Sequence, residues 1–188
     1  MPNLNAQHLA PATGGYEPQR TYNWELEIAL DDAGDQFIIS QSLDSFSLPS
    51  ESQGVIELNH GNEIRYVPGK VRWDAMPLVL KDFVDIGTAN ALIKWRRLCY
   101  NVESGSVGLA RDLKKQADVL LRAPDGSVSR FWKLLGLWPM QVRFGDLSMA
   151  SEDYVRIEVT LRPDRCMPGP GLNTGLSGLN VGVLTPAL

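Results

Sequence analysis

Two histidines and two cysteines are the first places to look for chemistry in this chain. His8 and His60 stand far apart, and neither belongs to an H-E-x-x-H pair or a similar spacing that brings two imidazoles to one metal. Cys99 and Cys166 are equally isolated, with no C-x-x-C pair, so no structural zinc site is expected. There is no G-x-S-x-G elbow to raise a serine nucleophile. Gly61 and Gly69-Lys70 imitate a phosphate-binding loop. Their spacing is too long, however, and Val71 stands where a Ser or Thr is needed. G-x-G-x-x-G is absent as well. No catalytic residue, cofactor or metal is expected, and an enzymatic reading has no residue constellation behind it.

Aromatic and basic residues offer one further kind of chemistry, the stacking and gripping of nucleic acid. Lys94-Trp95-Arg96-Arg97 has that composition, yet Trp95 falls on the apolar stripe of a predicted helix. A core tryptophan beside a solvated basic face is the favoured reading. Trp24, Trp73, Trp132 and Trp138 are read in the same way, as filling for a β core or a subunit interface. The net charge of −4 argues against a surface that grips nucleic acid. It leaves open a surface that nucleic acid slides past.

The elements that position these residues are mostly strands. The chain has 188 residues, 44% hydrophobic and 21% charged, which fits one domain with a real core. Trp24, Leu26, Ile28 and Leu30 alternate with Glu25 and Glu27 in a first strand over Tyr22–Leu30. Asp31-Asp32-Ala33-Gly34 reads as a turn, and Phe37-Ile38-Ile39 as the opening of a second strand. Ala91, Leu92, Trp95, Leu98, Cys99 and Val102 share one face of a single helix over about 85–102, with Asp85 or Thr88 as its cap. Ala117–Ala123 and Val128–Leu135 flank Pro124-Asp125-Gly126-Ser127 as a hairpin, and a bulge is expected near Gly136. Val155, Ile157, Val159 and Leu161 alternate in a last strand. Residues 1–20 read as an arm without a core of its own. Residues 163–188 read as an extended Gly- and Pro-rich tail without much secondary structure.

The organising stretch is Asn59–Lys81. His60-Gly61-Asn62 and Pro68-Gly69-Lys70 carry turn chemistry. Val71, Trp73 and Ala75 then alternate with Arg72 and Asp74, and Pro77 suggests a bulge or an edge before Leu78-Val79-Leu80. The polar excursion of Ser50–Gly69 before this core strand is expected to project and touch another molecule. The cysteine usage fits a cytoplasmic, reducing site of folding. No run of about 18 apolar residues offers a membrane span, and the N-terminus lacks a secretory pattern.

The order of several phrases resembles the tail tube proteins of contractile-tailed bacteriophages, whose fold is shared with type VI secretion tube proteins. The phrases run from Tyr22 to Leu161. They include Tyr22-Asn23-Trp24-Glu25-Leu26-Glu27-Ile28, Phe46-Ser47-Leu48, Pro68-Gly69-Lys70-Val71 before Leu78-Val79-Leu80-Lys81, and Trp95 in the helix. Leu120-Leu121-Arg122-Ala123-Pro124-Asp125-Gly126 with Phe131-Trp132-Lys133-Leu134 and Trp138-Pro139 is the most specific part, and Tyr154–Leu161 closes the series.

The resemblance implies a mainly β fold, a barrel or sandwich of two packed antiparallel sheets with one flanking helix, over residues 21–162. It implies six copies in a ring and rings stacked into a tube that passes a genome without binding it specifically. The stacking loop at about 50–69 would use Glu51, Glu57, His60, Asn62, Glu63 and Arg65 to set register. Glu25, Glu27 and Glu158 would line the lumen and repel phosphates. Implied partners are further copies of the chain, a sheath protein, a tape-measure protein and baseplate tube proteins, with no membrane. The implied location is the virion tail, assembled in the host cytoplasm. A baseplate tube initiator or a secretion or injection tube is the related alternative. A monomeric β-barrel that binds nucleic acid is the alternative of another class.

Overall fold

The computed structural model describes residues 18–150 and 152–169. Residues 1–17 of the expected arm and 170–188 of the expected tail lie outside the described residues. The elements are β1 (Trp24–Ile28), α1 (Ala33–Gln41), β2 (Leu43–Phe46), β3 (Glu51–His60), β4 (Glu63–Trp73) and β5 (Met76–Lys81). They continue as α2 (Thr88–Cys99), α3 (Ala110–Leu113), β6 (Lys115–Arg122), β7 (Val128–Arg143), β8 (Arg156–Arg162) and β9 (Arg165–Pro168).

The period-two alternation of the sequence builds two antiparallel layers. One path of strands runs β1-β6-β7-β8-β5-β2, with β9 added alongside β7. β7 is 16 residues long and serves both layers. Its first part pairs with β6 and β9, its last part with β8. The register shifts where Leu134 and Leu137 face Ala117 and Lys115, so the bulge expected near Gly136 is present. This bulge turns β7 from one layer into the other. Between the layers lie Leu26 and Ile28 of β1, Leu78 and Leu80 of β5, Val119 of β6, and Ile157, Val159 and Leu161 of β8. Helix α2 closes the core with Ala91, Leu92 and Trp95, and the Trp95 indole N–H donates to the Leu113 carbonyl at 3.0 Å.

Four local expectations are corrected. Phe37-Ile38-Ile39 belongs to helix α1, not to a strand. Asp32 caps that helix by accepting from the Gly34 N–H at 2.8 Å, and Asp35 in the first turn is held by Lys94 at 3.0 Å. Only Ile39 of the three apolar residues is buried, which a helix face achieves and an alternating strand does not. The fold thus has α1, and the four-residue α3, beside the expected helix. The expected helix itself is shorter, Thr88–Cys99. Gly87 takes the N-cap position, and Thr88 is buried with its hydroxyl 2.7 Å from that of Ser42. Leu98 and Val102 are exposed instead of lying on the buried stripe. Pro77 is the second residue of an internal strand, where its missing donor is tolerated at the strand's beginning. Finally, residues 165–168 of the expected tail form β9 on β7.

The layers do not close on themselves. β1 and β2 end the strand path, and no strand covers the outer edge of either among the described residues. The two edges approach through Trp24 and Phe46, whose rings lie 6.2 Å apart, and helix α1 reaches β1 through the Ser40 hydroxyl, which donates to the Leu26 carbonyl at 3.3 Å. A groove of about 740 Å³ remains beside them, lined by Trp24, Leu26, Phe37, Ser40, Leu43 and Asp44 among others.

Candidate functional site

The candidate site is the ribbon formed by β3 and β4. Nine register pairs run from Glu51↔Trp73 to His60↔Glu63. The turn is Gly61-Asn62, with φ of 63° at Gly61 and, among the described residues, no positive φ at any non-glycine residue. Left-handed backbone at the first turn residue alone is the type II′ pattern, which suits the twist of a hairpin. Pro68-Gly69-Lys70, expected as a turn, instead lies within β4, where Gly69 and Lys70 form a bulge opposite the single residue Gly54 of β3. A Cβ on Gly69 would stand 2.9 Å from the Gly54 carbonyl oxygen, so the crossing requires glycine at 69, whereas a Cβ on Gly54 would meet only ordinary contact at 3.8 Å. The Gln53 side-chain amide donates to the Gly69 carbonyl at 3.1 Å and braces the bulge.

Every residue of β3 is exposed, and β4 is exposed except at Gly69 and Trp73. The register sorts the distal half into two faces. Ile56, Leu58, His60, Glu63, Arg65 and Val67 lie on one, and Val55, Glu57, Asn59, Ile64, Tyr66 and Pro68 on the other. Both faces therefore mix apolar and polar residues. A two-stranded ribbon alone in water is marginal, and one with apolar residues on both sides needs a cover.

The residues expected to set stacking register are all brought onto this ribbon. Glu51 is at its base opposite Trp73, Glu57 opposite Tyr66, His60 opposite Glu63, and Arg65 opposite Leu58, with Asn62 in the turn. Among the described residues, none of these charged groups has an ion-pair partner.

The three carboxylates expected on the lumen are not brought together. Glu25 and Glu27 share the outward face of β1, whereas Glu158 lies on β8, two strands beyond the neighbouring β6 in the path. Glu25 is held by both arms of a guanidinium, with Arg122 Nε and Nη2 each 2.8 Å from a carboxylate oxygen. Those hydrogen bonds, with the positive charge behind them, hold the Glu25 pKa below the ordinary carboxylate value, while partial burial opposes them. Glu27 is exposed across from Asp118. Glu158 lies 3.8 Å from Arg143.

The basic cluster on α2 has the structural arrangement. Trp95 is buried, Lys94 pairs with Asp35, and Arg97 lies 3.9 Å from Glu103. The other four tryptophans are half-buried. Among the described residues, no group of three or more His, Cys, Asp or Glu is placed to hold a metal. Sequence reasoning missed a second surface. At the end of the layers opposite the ribbon, the loops 82–87 and 144–155 expose Val84, Leu147 and Met149. No periodicity marks such loops, so no signal was there to find.

No family model matches the chain. In sequence it is similar to the tail tube protein of Serratia phage KSP90, 25% identical over 172 residues, covering 86% of this chain and 94% of the relative. In structure it is similar to the sheath–tube complex of an extracellular contractile injection system, PVC, in its extended state. The TM-score there is 0.62 at 19% identity, covering 81% of this chain and 91% of the other. It is also similar to a chain of the six-fold symmetrised baseplate of the anti-feeding prophage, with a TM-score of 0.63 at 13% identity, covering 83% and 97%. At those identities the structural likeness is one of fold. The chain has the tail-tube fold and resembles phage tail tube proteins in sequence, a structural and non-enzymatic kind.

Proposed function

We propose that this chain is the subunit of the inner tail tube of a contractile phage tail. Six copies close a ring, and rings stack into a channel for the genome. The observation that carries the reading is the exposed ribbon: a 23-residue excursion, Glu51–Trp73, with apolar residues on both faces and, among the described residues, no element packed on it beyond the core contact of Trp73 at its base. The bare edges of β1 and β2 support lateral joining, because a closed ring hides edges that otherwise aggregate. The six-fold symmetry of the similar baseplate supports six copies.

In this reading the body is 21–162, extended by β9, with an N-terminal arm over 1–20 and a C-terminal tail over 163–188. Glu51, Glu57, His60, Asn62, Glu63 and Arg65 set the register between rings. Of the lumen candidates, Glu27 is the one with no ion-pair partner among the described residues, although the Arg122 guanidinium lies within its electrostatic reach. Glu25 is neutralised by Arg122, and Glu158 is partly offset by Arg143. The sheath–tube and baseplate likenesses support a sheath and baseplate tube proteins as partners. A tape-measure protein in the lumen, assembly in the host cytoplasm and a final place in the virion tail complete the proposal.

Negative-stain electron microscopy of the purified chain tests it, with rings or tubes expected. A chain that stays monomeric at high concentration, and binds DNA with steep salt dependence, overturns it. The likeness to a baseplate chain favours one second reading, a tube initiator or injection-system tube. Single rings without elongation would select the initiator.

A further inference from the structure

A second cavity, of about 290 Å³, opens where the start of β1, the end of β2 and the end of β6 come together. Half-buried Trp24, Phe46 and Leu121 wall it, and Leu48, 44% exposed, borders it. Val119, with no exposed surface, closes its inner side. The cavity therefore runs from solvent down to the core between the two layers. Its walls are hydrocarbon and aromatic ring, which give a water molecule too few partners to hold it there. The Trp24 and Phe46 rings, 6.2 Å apart and tilted by 31°, leave room for a third ring beside them.

The polar part of the lining is the chain on its way into β1. Gln19, Arg20 and Thr21 stand there, all exposed. Their course is fixed by the β6–β7 hairpin. The Gln19 side-chain amide donates to the Arg122 carbonyl at 2.9 Å, and its side-chain oxygen accepts from the Ser129 hydroxyl at 2.6 Å. Asn23 adds donations to the Arg122 and Ala123 carbonyls at 3.0 and 2.9 Å. The residues upstream of Gln19 therefore set out from the mouth of the cavity. Residues 1–17 stand outside the described residues, and Tyr16 is the one aromatic residue in that stretch. It precedes Gln19 by three positions, a reach of about 10 Å when extended.

We propose that Tyr16 fills this cavity in its own subunit, its ring against Trp24 and Phe46 and its hydroxyl at the polar rim. An aromatic residue with one wet end suits a cavity that is apolar inside and polar at the mouth. The occupant comes from the same chain because the tether is short. Three residues hold the ring at an effective concentration on the order of millimolar, without recruiting a second copy. The arm is then committed to its own body as far back as Tyr16, and only the residues before it are free to meet another molecule. The proposal does not depend on the tube reading, since one copy contains both the cavity and its occupant.

Alkylation of a thiol at the cavity mouth tests it. Leu48→Cys in the full chain puts one there, and the native Cys99 and Cys166 are buried and do not compete. Its rate with N-ethylmaleimide is measured at low and at high protein concentration. Adding Tyr16→Ala is expected to raise that rate several-fold, whereas Tyr16→Phe leaves it as it was, and both results hold at either concentration. A rate that Tyr16→Ala does not change overturns the proposal. Protection that depends on Tyr16 but fades on dilution means that another copy's arm fills the cavity, and overturns it as well. In urea unfolding, Tyr16→Ala alone is expected to lower the folded-to-unfolded ratio about tenfold, the worth of an aromatic side chain roughly half removed from water. An unchanged midpoint overturns the proposal too. A chain that forms no rings or tubes removes the tube reading and leaves this result standing.

Discussion

Trp95 places the largest single burden on the fold, because its ring is buried and its N–H is spent on the Leu113 carbonyl. Trp95→Ala is expected to cost about 3–5 kcal/mol, measured by denaturant unfolding. A loss well under about 1 kcal/mol would mean that α2 is not part of the core. Cys166 is a second buried group. Removal from water pushes its thiol up to about 11, so it stays protonated near neutral pH and inert to alkylation. Thiol titration of the folded protein is expected to find no reactive group until it is unfolded. Glu25 behaves in the opposite sense. Its hydrogen bonds from Arg122 lower the native pKa from 4.5, so the unfolded chain holds that proton more tightly. The stabilisation is present above that ordinary value and disappears as pH falls through the lower native one. The pair is half-exposed, so Glu25→Gln is expected to cost no more than about 1 kcal/mol near neutral pH. The difference between wild type and variant should vanish in acid, as read by thermal melts. A gap that widens on acidification is incompatible with this account.

The ribbon is an element whose stability and position are separable from the body. Apart from the anchoring of Trp73 against the core, it packs on itself. Replacing Val55–Pro68 by a two-residue Asn-Gly turn is therefore expected to change body stability by no more than about 1 kcal/mol while abolishing higher assembly. Circular dichroism and electron microscopy read the two effects, and a collapse of the body would show that the ribbon is part of its fold. Gly69→Ala is expected to act in the same direction more mildly, because the added methyl meets backbone and not a flexible side chain. Legibility differed between elements. The strand faces of β1 and β8 followed from alternation, and the β6–β7 turn from Pro-Asp-Gly. Helix α1 did not, because Phe37-Ile38-Ile39 fits a strand unless the Asp32 cap and the Asp35–Lys94 pair are seen. Lys94 lies 59 residues away from Asp35, so no local window contains the pair.

For the assembled particle, the proposal ties electrostatics to transport. Glu27→Gln is expected to leave tubes intact and to slow genome passage, because a wall that repels phosphates keeps the polymer from sticking. Ejection kinetics identical to wild type would remove Glu27 from the lumen. In the proposed tube, sheet edges and ribbon have the same logic: each is a surface that a solitary copy exposes to water and that sister copies would cover. Assembly should therefore be concentration-dependent and should protect ribbon amides from hydrogen exchange.

The sequence by itself determined the β-rich body, the amphipathic helix around Trp95, the absence of a catalytic pattern and the projecting stretch before β5. Each of these is a matter of local spacing or composition, and local spacing is fully present in the chain. Tertiary structure decided which carboxylates are free. Glu25 meets Arg122 across 97 positions, and Glu158 is separated from the β1 pair by the strand order. It also decided that the ribbon and the apolar loops lie at opposite ends of one molecule. That opposition arises from the antiparallel register of β5 and β8, which no single segment encodes.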